Sequence, residues 1–322
     1  MLPPAQGEVP QLKMHFLKSK RSLLGCIFTL VLGALPVEAR IISFFCNPMS
    51  VNQTASGASM DGSFRFELGV FTGGFVPTSA NTSQWAANWV SAKRAVYNET
   101  NRLFTAEHTV TSNAAPFTTG ALAYVWGFGG TRGDEWILFR ATTWLWPTAN
   151  PENPVLINWN ASAATQVIVG SINSSGSPYR MRTATISASV PPATTWSQWQ
   201  AESLEGVALN GPSQDADGDG IRNDFEFVFG LDPRRPDTLP PTLTEVATLG
   251  NERFLRIGIP RRADRLASLV VQVSPNLTSW SSGPAYTLVD SSAPSLLTVR
   301  SLVPIDGTTP RQFMRTGISV TP

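Results

Sequence analysis

The sequence has little cysteine, histidine or charge. Two cysteines and two histidines occur among 322 residues, too few for a zinc centre built from those ligands. Charged residues make up 15% of the chain, and the formal net charge is +1. Because nucleic-acid binding needs a concentrated positive field, this balance argues against a nucleic-acid partner. Beyond residue 39, no apolar run approaches the roughly 20 residues that a membrane-spanning helix needs.

Common catalytic constellations are missing as well. Beyond residue 39 there is one histidine, His108, and one cysteine, Cys46. No Gly-x-Ser-x-Gly sequence presents a serine nucleophile. Glycoside hydrolysis needs only two carboxylates, and the candidates by residue type alone are Glu67, Glu99, Asp134 and Glu135. We therefore expect a non-catalytic protein and keep a glycoside-processing enzyme as an alternative.

The N-terminus has the order of a secretory signal peptide. A basic stretch at residues 13–21 precedes the apolar run 23–35, and Ala39 ends a segment that resembles a cleavage site. We expect residues 1–39 to be the signal peptide, with Met1 or Met14 as the start, and the mature protein to be secreted or held at the cell surface without a membrane span. Cleavage leaves Cys46 without an intramolecular partner, so it is either buried or forms an intermolecular link.

The remaining composition is typical of an all-β protein, because glycine, proline, threonine, valine and aromatic residues occur in short runs. Residues 64–68 alternate apolar and polar side chains, and the runs 121–128 and 135–146 predict buried strands. A helix is predicted over residues 83–96, where Trp85, Trp89, Ala92 and Val96 recur at helical spacing. We expect residues 40–190 to form a β-sandwich-like domain with this helix packed on a sheet.

A second β-domain is predicted over residues 241–322, after a linker at residues 191–240. Pro191 and Pro192 mark the boundary as an extended segment with few hydrogen bonds. Thr195 and Gln198 fit a capping box, so a short helix is predicted after Thr195. Alternating apolar residues at 255–259 and 269–273 predict strands. The predicted fold is all-β, with two β-sandwich-like domains joined by a short helical calcium-binding segment.

Residues 215–226 carry the pattern of a calcium-binding loop. Calcium takes about six to eight oxygen ligands, which such a loop supplies from positions one, three, five, seven, nine and twelve. The corresponding residues are Asp215, Asp217, Asp219, Ile221 through its carbonyl, Asn223 and Glu226. Gly220 stands at the sixth position, where the chain turns sharply. The pattern therefore predicts one bound Ca²⁺.

The flanking residues predict half of an EF-hand. Gly211-Pro212 is incompatible with a helix entering the loop. The exit helix is predicted over residues 223–229, with Phe225, Val228 and Phe229 available to a core and Gly230 as its C-terminal cap. A loop with one helix has no helix pair to open, so we expect the ion to brace the junction between the domains and not to act as a sensor.

The loop resembles the thrombospondin type 3 and dockerin-like calcium repeats of bacterial exported proteins. It carries Asp-x-Asp-Gly-Asp-Gly-x-x-Asn-x-x-Glu and closes in Gly-Leu-Asp-Pro at residues 230–233. Together with the segments 271–280 and 311–315, the region of about residues 194–320 is similar to a C-terminal cassette of large secreted bacterial proteins, from which it departs at Gln272 and Gln312. The resemblance implies an exported, modular, calcium-stabilised protein and no particular activity. It does not extend to residues 40–190.

The expected role is that of a structural or adhesive component of the cell exterior. Its partner is unknown, and an extracellular polysaccharide or a cell-surface component would fit. A carbohydrate-binding module is the alternative, since exposed aromatic rings can stack on sugars. The tryptophans in polar surroundings, which are candidates for that contact, are Trp85, Trp89 and Trp159. Those in apolar runs, which are predicted to lie in the core, are Trp126, Trp136, Trp144 and Trp146.

Overall fold

Strands make up most of the regular structure, which confirms the all-β prediction. The computed structural model describes residues 40–48, 50–149, 155–173, 175–186, 189–240 and 242–320, so the predicted signal peptide lies outside the described residues. The first elements are β1 (Arg40–Phe45), β2 (Val51–Gln53), β3 (Arg65–Phe71), α1 (Trp85–Asn88), β4 (Trp89–Val96), β5 (Thr105–Val110), β6 (Ala123–Gly129), β7 (Glu135–Arg140), β8 (Leu156–Asn160), β9 (Gln166–Val169), β10 (Ser171–Asn173), β11 (Arg180–Arg182) and β12 (Ala184–Thr185). The later elements are α2 (Trp196–Ser203), α3 (Asn223–Phe229), β13 (Leu243–Leu249), β14 (Glu252–Pro260), β15 (Ala267–Ser274), β16 (Ser281–Ser282), β17 (Thr287–Ala293), β18 (Leu296–Ser301) and β19 (Phe313–Val320). Short 3-10 helices lie at Thr82–Gln84 and Ala161–Ala163.

A six-stranded sheet forms the centre of the first β-region, which comprises the strands β1 to β12. Its order is β12-β7-β6-β3-β4, with β9 also paired to β7. Successive side chains of a strand face opposite sides, and here both sides are buried: Phe66 and Leu68 lie in one core, Trp126 and Trp136 in the other. The first core also contains Phe44 of β1. The central sheet therefore packs in layers against the smaller sheets β5-β1-β8 and β10-β11-β2.

The helix predicted over residues 83–96 is wrong beyond Asn88. Helix α1 ends there, and Trp89 begins β4, which runs antiparallel to β3. Trp85 and Trp89 still enter one core, as their spacing suggests. Helical spacing could not reveal the change, because the backbone groups of residues 89–96 are satisfied by a strand distant in sequence. Likewise, the run 135–146 is a strand only as far as Arg140.

The second β-region comprises the strands β13 to β19. It has a four-stranded sheet, β13-β14-β18-β17, and a three-stranded sheet, β16-β15-β19. Strands are present at both segments where alternation predicts them. Ile257, Ile259, Val271 and Val299 enclose a core with apolar residues of α2 and α3. The two short helices are therefore held by the second core. Within the residues that the structure describes, no helix combines the length and apolarity needed to span a membrane.

Helix α2 begins with the capping box that the sequence predicts. The Thr195 hydroxyl accepts a hydrogen bond from the Gln198 amide at 3.1 Å, and the Gln198 side chain accepts one from the Thr195 amide at 3.0 Å. The rings of Trp196 and Trp199 contact Phe227 of α3 with centroids 5.6 and 5.5 Å away. The cap therefore fixes the helix that carries both tryptophans into the second core.

A group of buried charges joins the two β-regions. Glu202 of α2 accepts a hydrogen bond from Arg65 of β3 at 2.6 Å and lies 3.5 Å from Arg94 of β4. Arg94 also pairs with Glu67 at 2.7 Å. The polar face predicted for residues 64–68 is thus buried, because Arg65 and Glu67 are neutralised by these partners.

The segment after the predicted boundary is also paired with the second region. The Thr194 amide donates to the Asp264 carbonyl at 2.7 Å, and the Leu266 amide donates to the Thr194 carbonyl at 3.0 Å. The diproline is therefore followed at once by hydrogen-bonded chain and not by a long free linker. All described residues belong to one compact unit, so a division into two domains stays a prediction.

Candidate metal centre

Helix α3 positions the last two predicted ligands. It spans Asn223–Phe229, as predicted, and ends at Gly230, whose φ of 74° is left-handed. Glycine is favoured there for a second reason, since a Cβ would lie 2.4 Å from Cδ of Arg262. Val228 and Phe229 lie in the second core as predicted, and Phe225 is half-buried against it. Phe227, which was not predicted, is fully buried. Burial of the helix fixes Asn223 and Glu226 at its N-terminal end.

Two backbone hydrogen bonds close the loop in place of an entering helix. Among the described residues, no helix lies between Ser203 and Asn223, as Gly211-Pro212 predicts. The Asn223 amide donates to the Gln214 carbonyl at 2.8 Å, and the Asp224 amide donates to the Pro212 carbonyl at 3.0 Å. The segment that enters the loop is thereby attached to the first turn of α3.

Three aspartates converge inside the loop. Asp215, Asp217 and Asp219 each place a carboxylate oxygen within 4.8 Å of the other two. Asp215 accepts hydrogen bonds from the amides of Gly218 at 2.7 Å and Gly220 at 2.8 Å. Gly220 has a φ of +92°, a backbone conformation that residues other than glycine rarely adopt. This cluster could hold a metal ion.

Glu226 is buried beside the aspartates without a hydrogen-bond partner. Its exposed fraction is 0%, and neither carboxylate oxygen has a partner in the described part of the chain. Its oxygens do not join the 4.8 Å cluster of the three aspartates. Leaving a buried polar group unpaired costs about 1–3 kcal/mol, and more for a charged one. A cation would remove that cost, so the position of Glu226 fits a metal ligand.

Asn223 presents an oxygen in the same way. It is 0% exposed, and its Nδ2 donates to the carbonyls of Leu209 and Gly211, both at 2.9 Å. Those two bonds assign the amide orientation, and Oδ1 is left without a partner among the described residues. Oδ2 of Asp217 is likewise buried and has no partner in the described part of the chain. The unsatisfied groups are all oxygens, which is the donor set of a hard cation.

The electrostatics of the loop follow from crowding of carboxylates. Burial raises the pKa of Glu226 to about 8, with further contributions from the charges of Asp217, Asp219, Asp215 and Asp237. Burial also raises the pKa of Asp217, whereas amide hydrogen bonds lower the pKa of Asp215. Without a cation, the folded loop therefore favours a protonated Glu226 at neutral pH.

Asp237 is a neighbour of the site that the loop pattern did not identify. Its amide donates to Oδ2 of Asp219 at 2.7 Å, and its Oδ2 accepts from the Asp232 amide at 2.9 Å. In the sequence, the only indication that Asp237 lies near the loop is its position shortly after the Gly-Leu-Asp-Pro motif. Ile221, the predicted carbonyl ligand, is buried, and its amide donates to Asp219 at 2.7 Å.

The tryptophans proposed for sugar stacking are inaccessible, so that assignment was wrong. Trp85, Trp89 and Trp159 are 0, 8 and 4% exposed. Local polarity was misleading, because each ring is covered by residues distant in sequence; Trp159, for example, stacks on Trp144 at 5.5 Å. The tryptophans assigned to the core are buried as expected, namely Trp126, Trp136, Trp144 and Trp146.

The carboxylates considered for glycoside hydrolysis have structural contacts. Glu67 is 2% exposed and accepts from the Trp89 indole at 2.6 Å, besides its pair with Arg94. Glu135 accepts from the Ala55 amide at 2.8 Å. Glu99 forms an ion pair with Arg235. The side chain of Asp134 forms neither a hydrogen bond nor an ion pair among the described residues. None of these contacts favours a catalytic pair.

Cys46 and His108 lie among packed side chains. Cys46 is 2% exposed, and burial raises the pKa of its thiol to about 11. His108 lies on β5 with its ring 5.3 Å from that of Trp146, and burial followed by Lys93 lowers its pKa. The buried alternative for Cys46 is the one the structure supports.

Comparison with known proteins gives no relative. No family model matches the sequence, and no curated protein or solved structure is significantly similar to it. The resemblance of the loop to thrombospondin type 3 repeats therefore stays a prediction, and function is inferred from the site itself.

Proposed function

We propose that residues 215–226 bind one calcium ion, and that the chain is an exported, non-catalytic modular protein with a structural or adhesive role. The observation that carries the proposal is the buried carboxylate of Glu226 beside Asp215, Asp217 and Asp219, which has no partner among the residues that the structure describes. Calcium accepts many oxygen ligands in flexible geometry, including a bidentate carboxylate, whereas magnesium retains water and requires a tight octahedron. An oxygen-only set dominated by carboxylates therefore favours calcium.

A bracing role follows from what the loop is attached to. Its exit helix lies in the second core. The chain after that helix returns to α2, where Arg234 donates to the Ser203 carbonyl at 2.7 Å. Arg235 pairs with Glu99, which belongs to the first β-region. Neutralising the carboxylates of the loop would stabilise this whole set of contacts.

The calcium proposal is tested on the whole chain by titration calorimetry after metal removal. We expect one calcium site, weaker magnesium binding, and a melting temperature that rises with calcium, since a ligand of the folded state stabilises it. Asp217→Asn and Glu226→Gln should abolish both effects.

Asp306→Asn is the matched control. Asp306 also accepts amide hydrogen bonds, from Thr308 and Thr309, but in a different turn. This variant should keep the calcium response. Equal melting of the wild type with and without chelator would refute the proposed site.

Export is supported by the predicted leader at residues 1–39. N-terminal sequencing of the protein recovered from the medium or envelope of a bacterial host should find the mature chain beginning at Arg40. Recovery of the uncleaved chain from the cytoplasm alone would contradict this part of the proposal, and it would leave the calcium measurement unaffected.

A further inference from the structure

A cavity lies where the two β-regions meet, and none of the six predicted calcium ligands lines it. Its volume is about 460 Å³, and it is bounded by β3, α2, the segment after α3 and the residues around 262–265. Five arginines and five acidic residues contribute to its wall. Pockets for small molecules commonly measure about 300–1,000 Å³. The size is therefore sufficient for a small organic ligand, and the charged wall determines which kind.

The acidic side chains of the wall are already engaged. Glu202 neutralises Arg65, and Glu99 and Asp232 both lie within ion-pair distance of Arg235. Asp61 is exposed to solvent and accepts from the Ser63 amide at 2.9 Å. Asp237 is held by the Asp232 amide and contributes its charge to the metal loop. Asp61 and Asp237 form no ion pair in the described part of the chain, but a backbone amide already donates to each of them.

Most of the arginines are engaged as well. Arg262 forms a two-point ion pair with Asp264 at 3.0 and 2.8 Å, and its other end donates to the Gly130 carbonyl. Arg234 donates to backbone carbonyls at the end of α2, including that of Ser203. These side chains build the wall and do not offer free charge.

Arg265 is the exception. In the described part of the chain its guanidinium forms no ion pair, and its Nε is buried without a hydrogen-bond partner. Its Cζ lies 5.2 Å from the ring centroid of Phe227, which covers one side. Burial, and then the positive charge of Arg262, lower its pKa to about 9, although the charge of Asp264 acts in the opposite direction. A half-buried cation in this position is costly unless an anion accompanies it.

We propose that this cavity binds a small organic anion, whose carboxylate or sulfate group pairs with the guanidinium of Arg265. A guanidinium presents parallel donors that match two oxygens of such a group, and this pairing is stronger than a hydrogen bond between neutral groups. The anion would supply the ion-pair partner that Arg265 lacks in the described part of the chain, where Asp264 is already paired with Arg262. The site goes beyond the proposed calcium loop, and none of the calcium ligands is required for it.

The test is titration of the whole chain with D-glucuronate and with sulfate, at constant ionic strength set by chloride. D-glucose serves as the neutral counterpart of glucuronate. We expect glucuronate or sulfate to bind and to raise the melting temperature, and glucose to do neither. Binding of glucuronate alone would identify a sugar acid as the preferred ligand, and binding of sulfate alone a sulfated one.

Variants assign the binding to Arg265. Arg265→Gln should weaken anion binding at least tenfold, and Arg265→Lys should retain part of it because the charge remains. Arg261→Gln is the matched control, since Arg261 also has a buried Nε without a partner among the described residues but does not line the cavity. Absence of binding of both anions to the wild type would overturn the proposal, and so would equal binding by Arg265→Gln. The wild-type titration decides the matter even if a variant does not fold.

Discussion

At the residue scale, the carboxylate of Glu226 governs the behaviour of the loop. It is fully buried, it has no hydrogen-bond partner in the described residues, and several aspartates act on it through their charge. The same three features would be unfavourable in a merely structural glutamate, because the ionised form is destabilised by each of them. A divalent cation would compensate for all three, because it pairs with the buried carboxylate and neutralises the surrounding charge. The stability of the loop should therefore depend strongly on metal.

The stability of the protein without calcium should depend on pH through Glu226. The pKa of Glu226 is raised from 4.5 to about 8 in the folded, metal-free protein. Between these values the folded state binds more protons than the unfolded state, so the contribution to stability is complete below 4.5 and is lost as the pH rises through about 8. The melting temperature of the chelated wild type should fall from pH 5 to pH 8. Glu226→Gln should remove that component of the slope.

Asp306→Asn is again the control, because hydrogen bonds lower the pKa of Asp306 and place its titration below this range. Identical slopes for the wild type and Glu226→Gln would show that Glu226 does not titrate as described. With calcium bound the carboxylate must be ionised, so calcium affinity should increase with pH, by up to about tenfold per unit, over the same interval.

At the element scale, the short helices depend on their ends. Helix α2 has eight residues, a length at which the helix is marginal by itself. Its capping box satisfies two backbone groups that would otherwise be unpaired. Helix α3 lacks a side-chain cap and relies on the burial of Phe227, Val228 and Phe229. The two helices are thus stabilised differently, although they share one core.

Thr195→Ala should lower the free energy of unfolding by about 1 kcal/mol, the usual cost of losing such a cap. Urea unfolding, followed through tryptophan fluorescence, measures this value. Ser197→Ala is the matched control, because Ser197 is exposed on the same helix and alanine is at least as good a helix former. A loss as large in Ser197→Ala as in Thr195→Ala would mean that the cap is not the cause.

At the scale of the whole molecule, a group of buried charges lies where the two β-regions meet. Arg65, Arg94, Glu67 and Glu202 form one connected group with exposed side-chain fractions between 2 and 19%. Such a group adds little compared with an apolar substitute, yet removal of one partner leaves its neighbours buried and unpaired. The relative position of the regions therefore depends on the group being complete.

Glu202→Gln should destabilise the protein by about 3 kcal/mol, because Arg65 and Arg94 both lose a counter-charge. Denaturant unfolding should show the lower midpoint and, if the regions separate, a broader transition. Glu205→Gln is the control, since Glu205 is exposed and close in sequence and forms no ion pair in the described residues. A change below about 1 kcal/mol in Glu202→Gln would show that this group does not hold the regions together.

Local patterns in the sequence determined the features that depend on neighbouring residues. The capping box at Thr195, the bounds of α3, its glycine terminus and the convergence of Asp215, Asp217 and Asp219 all follow from short-range spacing. Turns, caps and ligand loops are formed within a few residues, so their signals are contained in the sequence.

Only the tertiary structure decided which side chains are covered. In the folded protein Trp85 and Trp159 are buried, residues 89–96 form a strand, and Asp237 contacts Asp219 of the loop 215–226. Arg265 is also left without an ion-pair partner among the described residues, because Asp264 pairs with Arg262. Each of these outcomes depends on contact with chain that is distant in sequence, and such contacts do not produce a periodic or short-range pattern.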